Sequence, residues 1–409
     1  MKKKGPKACP QMTSFLKRKV LNNRKIIVAV TGSVAAYKSI ELIRELKKNG
    51  AVVKVVMTEA ATKFVTPLSL RIASEDEVLS DVFSDPFSHI ELPEWADTMI
   101  IAPATANTLS KFFSASAGDM VSATFLSFRG PVIAAPAMNW RMYTDPVFQD
   151  RLGYLKEKGL IEVEPDKGEL ACGEKGVGRM ASIEKIIAET EKALSENDLS
   201  NRKFVITAGP TRESIDPVRY ISNRSSGKMG FAIARNAFIR GADVKLILGP
   251  SCIDPPHGVI TEYAETAEEM LNSVCGSIDG ADVLIMAAAV ADYAPLEKQS
   301  DKIDKKKNLD LKLRSTPDII SKVANQKKKP LIVGFAAETG DNKKRAKDKM
   351  NKKGMDMIIF NNVCLNGSGF DVDTNEVTLI DRESEKSYPL LSKDEVAMII
   401  LDKISDMLT

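Results

Sequence analysis

The strongest constraint on this 409-residue chain is that it opens twice in the same way. Arg24-Lys25-Ile26-Ile27-Val28-Ala29-Val30-Thr31-Gly32 is an apolar run stopped by glycine, and Arg202-Lys203-Phe204-Val205-Ile206-Thr207-Ala208-Gly209 is another. Short β-branched runs bounded by glycine read as strands buried on both faces of a parallel sheet. Each precedes a helical stretch that ends at a glycine, where a left-handed backbone costs least. Gly50-Ala51-Val52-Val53-Lys54-Val55 and Gly241-Ala242-Asp243-Val244-Lys245-Leu246 then begin the next strands. Both halves therefore start with a β-α-β unit. Arg24 to Gly50 is an interval of 26 residues and Arg202 to Gly241 one of 39, so the second unit carries 13 more. The extra length is expected in its first strand-to-helix loop. That loop lies at the carboxyl end of a strand, where α/β sheets bind ligands.

The alternation continues. Met99–Ala102, Val132–Ala135, Val283–Ala287, Leu331–Phe335 and Met357–Phe360 read as strands, and Ala267–Cys275 and Asp318–Ala324 as helices. Strands alternating with helices predict an α/β fold of two doubly wound, Rossmann-like domains with mainly parallel sheets. The expected layout is a basic tail over 1–20, a first domain over 21–194, a polar linker over 195–202 and a second domain over 203–409. Apolar residues at 44% and charged residues at 28% are ordinary for a globular protein. A net charge of +3 gives no case for nucleic acid. The longest apolar run, Val283 to Ala291, is too short for a membrane span. Lys2, Lys3 and Lys4 precede no apolar signal region. The five cysteines form no C-x-x-C pair, which argues against a disulfide framework or a zinc site and fits a reducing cytoplasm. No metal ligands can be picked out.

In the first half, Thr31-Gly32-Ser33 follows a strand and opens a helix, an arrangement that offers backbone N–H groups to an anion. Pro103-Ala104-Thr105-Ala106-Asn107-Thr108 and Pro136-Ala137-Met138-Asn139-Trp140-Arg141-Met142-Tyr143 also follow strands. These two segments resemble the paired motifs of the flavin-containing cysteine decarboxylases, and residues 24–190 are similar to phosphopantothenoylcysteine decarboxylase. The resemblance implies FMN, bound at Gly32, Ser33, Thr58, Thr105 and Asn107. It implies catalytic roles for His89 and Asn139, with Asn139 holding the substrate carboxylate. It also implies a role for Cys172, in a substrate-covering flap within Ala171-Cys172-Gly173-Glu174-Lys175-Gly176-Val177-Gly178-Arg179-Met180. That stretch is glycine-rich without an apolar period and reads as a flexible loop. Gly118 stands where the family pattern has Asn. The other histidine, His257, reads as a loop residue with no partner.

In the second half the enlarged loop ends in Ser225-Ser226-Gly227 before a helical run, a phosphate-ready helix start. It is not a P-loop: Ser222 replaces the first glycine and Met229 the final Ser/Thr. Residues 203–400 resemble phosphopantothenate–cysteine ligase. That resemblance assigns catalysis to Asn223 and Lys302, and the substrate phosphate to Arg219. Nucleotide and substrate contacts fall on Ser225, Ser226, Gly227, Asp292 (at the end of a strand), Pro317, Asp318, Ile319, Ile320 and Phe335. Lys302 in its Lys-rich loop, with Lys349 and Lys353 four residues apart on one helix face, would serve the triphosphate. The halves together resemble the bifunctional enzymes of coenzyme A synthesis. These join L-cysteine to 4'-phosphopantothenate with CTP and Mg2+, through an acyl-cytidylate, and then decarboxylate the product to 4'-phosphopantetheine. Family likeness further implies a homo-oligomer of ligase dimers and decarboxylase trimers, together a dodecamer. It implies no nucleic-acid or membrane partner. Alternatives for the first half are a flavin prenyltransferase, a peptide-cysteine decarboxylase or a regulatory flavoprotein without turnover.

Overall fold

Lys25–Val30 becomes a strand with apolar side chains on both faces, and that alone requires cover on both sides. Ile26, Val28 and Val30 pack with Leu42, Ile43 and Leu46 of the helix Lys38–Lys48. Ile27 and Ala29 pack on the opposite face with Leu109 and Phe112 of the helix Ala106–Phe113 and with Met120. The computed structural model describes residues 20–83, 87–170, 173–304, 309–338, 340, 342–362, 369 and 372–409. The chain divides into two compact units, Met1–Ser195 and Glu196–Thr409.

The first unit contains β1 (Lys25–Val30), β2 (Val52–Met57), β3 (Val78–Leu79), β4 (Thr98–Ala104), β5 (Val132–Pro136) and β6 (Leu160–Glu162), followed by β7 (Asp166–Glu169) and β8 (Lys175–Arg179). Its main sheet has the order β3-β2-β1-β4-β5-β6 and every pairing is parallel. The strand order reverses between β1 and β4, so the loops after these strands diverge and leave a crevice.

The second unit contains β9 (Lys203–Ala208), β10 (Arg212–Ser214), β11 (Tyr220–Ser222), β12 (Asp243–Leu248), β13 (Ile260–Tyr263), β14 (Val283–Met286), β15 (Tyr293–Pro295), β16 (Leu313–Ser315), β17 (Leu331–Glu338), β18 (Met357–Asn362), β19 (Thr374–Asp381) and β20 (Glu385–Ser392). Its sheet runs β13-β12-β9-β14-β17-β18-β19-β20. Pairing is parallel from β13 to β18 and antiparallel across β18-β19-β20. The reversal lies between β9 and β14. The long loop after β9 carries the small hairpin β10-β11 before the helix Lys228–Ile239 begins.

Three readings of the sequence need correction. Residues 171–180 are not a loop throughout, because Lys175–Arg179 pairs antiparallel with Asp166–Glu169. The strand ahead of Asp292 ends at Met286, so Asp292 lies in the following loop. His257 has a partner: its ring meets Phe238 edge-on at 5.9 Å between centroids. Among the described residues no helix is long and apolar enough to cross a membrane.

Candidate active sites

Each unit has a cavity at its strand-order reversal. In the first, of about 1120 Å³, the wall includes Gly32, Ser33, Thr58, Thr105, Asn107 and Asn139. Most of these residues start helices. The Ser33 hydroxyl accepts from the Ala35 N–H, Thr58 from Ala61, Thr105 from Thr108, and the Asn139 side chain from Arg141. The short helices they begin therefore direct their positive ends at one space. The Thr31 hydroxyl binds the two crevice loops together, donating to the Pro103 carbonyl at 2.7 Å and accepting from the Thr105 N–H at 3.1 Å. Gly32 provides a close approach that no larger residue permits: a Cβ there would stand 2.6 Å from the Ala60 Cβ.

Asn139 is held from below by the hairpin β7-β8. The Gly178 carbonyl accepts from the Met138 N–H at 3.0 Å. Glu174 accepts from the Trp140 indole at 2.9 Å and from the Arg141 guanidinium at 2.7 Å. The Trp140 bond first, then Asn139 and Arg141, hold the Glu174 carboxyl below its usual range. Cys172 lies outside the described residues. His89 sits on the helix Ser88–Trp95 and is not among the residues lining this cavity. Its Nδ1 is buried and has no hydrogen-bond partner among the described residues. Sequence reading passed over Lys38 and Arg179, which bring two cations to the wall. Burial, and then Arg179, push the Lys38 amine below its usual value.

The cavity of the second unit is about 870 Å³. Asn223, Ser225, Ser226, Gly227, Asp292, Pro317, Asp318, Ile319, Ile320, Phe335, Lys349 and Lys353 all line it. Gly227, at φ 78°, caps the helix Lys228–Ile239 with no side-chain hydrogen bond, which leaves the first N–H groups of the helix for a ligand. The Asn223 amide donates to the Val290 carbonyl at 2.9 Å and fastens the loop after β14. Lys349 and Lys353 share a face of the helix Lys343–Lys353. Burial, then Lys353, push the Lys349 amine below its usual value. Lys353 pairs with Asp318 at 3.1 Å.

Arg219 and Lys302 do not line this cavity. The Arg219 guanidinium donates twice to the buried Asp216 carboxylate, at 2.9 and 2.5 Å, and once to the Ile303 carbonyl at 2.7 Å. Asp216 also accepts from the Val218, Arg219 and Ile303 backbone N–H groups. Arg219, followed by these N–H groups, holds the Asp216 carboxyl far below its usual range. Asp216 thus couples the loop bearing Arg219 to the loop bearing Lys302, which is itself exposed. Asp216→Asn would present an amide to the guanidinium and weaken this latch. The expected result is a KM raised about tenfold for the substrate that this unit's cavity binds, with the activity of the other unit in the same preparation unchanged. An unchanged KM would make the latch irrelevant to the substrate. Among the described residues no group of acidic, histidine and cysteine side chains could hold a metal ion.

The DNA/pantothenate metabolism flavoprotein C-terminal domain family matches residues 199–408, and the Flavoprotein family matches residues 15–195. The chain is 41% identical over 397 residues to the coenzyme A biosynthesis bifunctional protein CoaBC of Bacillus subtilis (strain 168), covering 94% of this chain and 98% of that protein. It is 42% identical over 394 residues to the protein of the same name from Escherichia coli (strain K12), covering 94% of this chain and 97% of that protein. A solved C-terminal domain of a CoaBC protein is 40% identical, with a TM-score of 0.46, over 52% of this chain and 98% of that one.

Proposed function

The chain belongs to the CoaBC family of coenzyme A biosynthesis bifunctional proteins, and from that membership we propose that its two cavities run consecutive steps. The second unit joins L-cysteine to 4'-phosphopantothenate using CTP. The first decarboxylates the 4'-phosphopantothenoylcysteine so formed. The observation that carries this reading is that each half has a cavity at its sheet's strand-order reversal, walled by most of the residues its own motifs single out.

In the second unit the acyl carboxylate attacks the α-phosphorus of CTP. Pyrophosphate leaves and an acyl-cytidylate forms. The cysteine amine then attacks the acyl carbon, CMP leaves, the amide forms and a proton is lost. Lys349 and Lys353 offset the negative charge of the triphosphate, and the helix start at Gly227 gives it backbone donors. Asn223, fastened to the loop after β14 by its bond to Val290, holds the acyl intermediate. Family likeness assigns Lys302 to the nucleotide and Arg219 to the substrate phosphate, although neither lines the cavity of its own chain. Mg2+ would enter with the triphosphate and would supply charge neutralisation to it.

In the first unit FMN fits the wall: Gly32 is a cradle that a Cβ would fill, and the helix starts at Ser33, Thr58 and Thr105 suit an anionic group. Asn107 completes the set. Bound FMN supplies reversible two-electron chemistry at the cysteinyl sulfur, which the polypeptide lacks. Asn139 orients the substrate carboxylate, and Cys172 supplies a proton. His89 lies outside the cavity lining of its own chain, which fits a homo-oligomer in which a neighbouring copy delivers it. A dodecamer built from ligase dimers and decarboxylase trimers would satisfy both units. We place the enzyme in the cytoplasm.

The test uses the full chain. As purified it should be yellow. With CTP, Mg2+, cysteine and 4'-phosphopantothenate it should release pyrophosphate. Release of inorganic phosphate instead would mean activation through an acyl phosphate and would overturn the nucleotidyl mechanism.

A further inference from the structure

The loop after β14 belongs to no strand between Met286 and Tyr293, yet three consecutive residues in it are gripped from outside. The Val290 carbonyl accepts from the Asn223 amide at 2.9 Å. The Ala291 N–H donates to the Thr211 hydroxyl at 3.0 Å, and the Ala291 carbonyl accepts from the Thr316 hydroxyl at 2.6 Å. The Asp292 carbonyl accepts from the Thr316 N–H at 3.0 Å. Thr211 is wholly buried and Ala291 almost so. A buried N–H deprived of its acceptor carries the full cost of its lost hydration, so the Ala291 peptide follows the Thr211 hydroxyl. Thr211 is itself anchored, because its carbonyl accepts from the Ser222 hydroxyl at 2.7 Å.

The two ends of this chain of bonds fall at the two ends of the activation step. Asn223 is the residue assigned to the acyl intermediate. Thr316 directly precedes residues 317–320, which are assigned to the nucleotide. Asn223 and Thr316 line the cavity, whereas Thr211 stands behind it and is not part of the lining. We infer that Thr211 is a positioning residue of the ligase: through the Ala291 peptide and Thr316 it sets the spacing between the acyl carboxylate and the α-phosphorus of the nucleotide. This rests on the ligase reading. In activation a carboxylate oxygen bonds to the α-phosphorus as the bond from that phosphorus to the pyrophosphate oxygen breaks. The reacting atoms must first stand about 3–3.5 Å apart, and a displacement of about 1 Å costs about a hundredfold. Once the acyl-cytidylate has formed, its two parts are covalently joined. The later attack by the cysteine amine no longer depends on that spacing. Thr211 therefore acts on activation and not on amide formation.

The experiment compares Thr211→Val and Thr211→Ser with the parent in the full chain. Valine keeps the volume of threonine but removes the acceptor of the Ala291 N–H. At saturating CTP and 4'-phosphopantothenate, Thr211→Val should release pyrophosphate about tenfold more slowly. Its KM for either substrate should change by less than about twofold, because each end still binds. Thr211→Ser keeps the hydroxyl and should recover most of the rate. Given preformed acyl-cytidylate and L-cysteine, Thr211→Val should form the amide at the parent rate. Parent-like pyrophosphate release by Thr211→Val would overturn the inference. So would equal slowing of both steps, the result expected of a merely structural threonine, or no recovery in Thr211→Ser. A parent chain that releases no pyrophosphate would instead bring down the ligase reading, and the inference with it.

Discussion

Asn223→Asp is expected to stop cysteine ligation while CO2 release continues in the same protein. The parent amide donates to the Val290 carbonyl at 2.9 Å. A carboxylate there has no proton to give and sets a negative charge against a carbonyl oxygen, so the loop after β14 loses its fastening. It also adds negative charge where the acyl-cytidylate must form. Asn223 is exposed, so the cost comes from the lost hydrogen bond and from repulsion of the anionic intermediate, together about 3 kcal/mol, which is a factor of about 100 in rate. Pyrophosphate release and CO2 release measured on one preparation separate local from global damage. Equal loss of both would show that Asn223 supports the fold rather than the reaction.

Gly178→Ala is expected to empty the first unit of its flavin. Gly178 has φ 153°, and an added Cβ would lie 2.2 Å from the Met138 carbonyl oxygen. That oxygen belongs to backbone and cannot rotate away. The hairpin would have to lift from the Met138–Trp140 segment, taking Asn139 with it. Strain of about 1–3 kcal/mol corresponds to a loss of flavin affinity of about tenfold to a hundredfold. Gly168→Ala is the matched control in the same hairpin, because its Cβ would meet nothing nearer than 3.7 Å. The flavin absorbance of the purified variants is the measurement. Full colour in Gly178→Ala would mean that β8 does not shape the cavity.

The parallel strands were legible because burial on both faces writes itself into sequence as unbroken apolar runs. Val283–Met286 and Met357–Asn362 begin where the runs predicted. The antiparallel edge formed by β19 and β20 was not legible. Its strands mix charged and apolar residues, as Glu385–Ser392 does, since one face meets water. Residues 175–179 were misread because glycine was taken as a sign of flexibility. Here Gly176 and Gly178 allow a strand to lie against Trp140 and Met138. Most of the second cavity was visible through contiguous motif segments. Lys393 was not, because lysine usually means solvent. Its position in the first turn of a helix, where cations are disfavoured, was the available signal. The engagement of Arg219 with Asp216 depends on a fold-back over a few residues that no periodicity reveals.

The most direct test of the account is the stoichiometry of the complete reaction. The full chain, given 4'-phosphopantothenate, L-cysteine, CTP and Mg2+ under anaerobic conditions, should release pyrophosphate and CO2 in equal amounts and accumulate 4'-phosphopantetheine. Pyrophosphate without CO2, with 4'-phosphopantothenoylcysteine accumulating on a flavin-loaded protein, would contradict it.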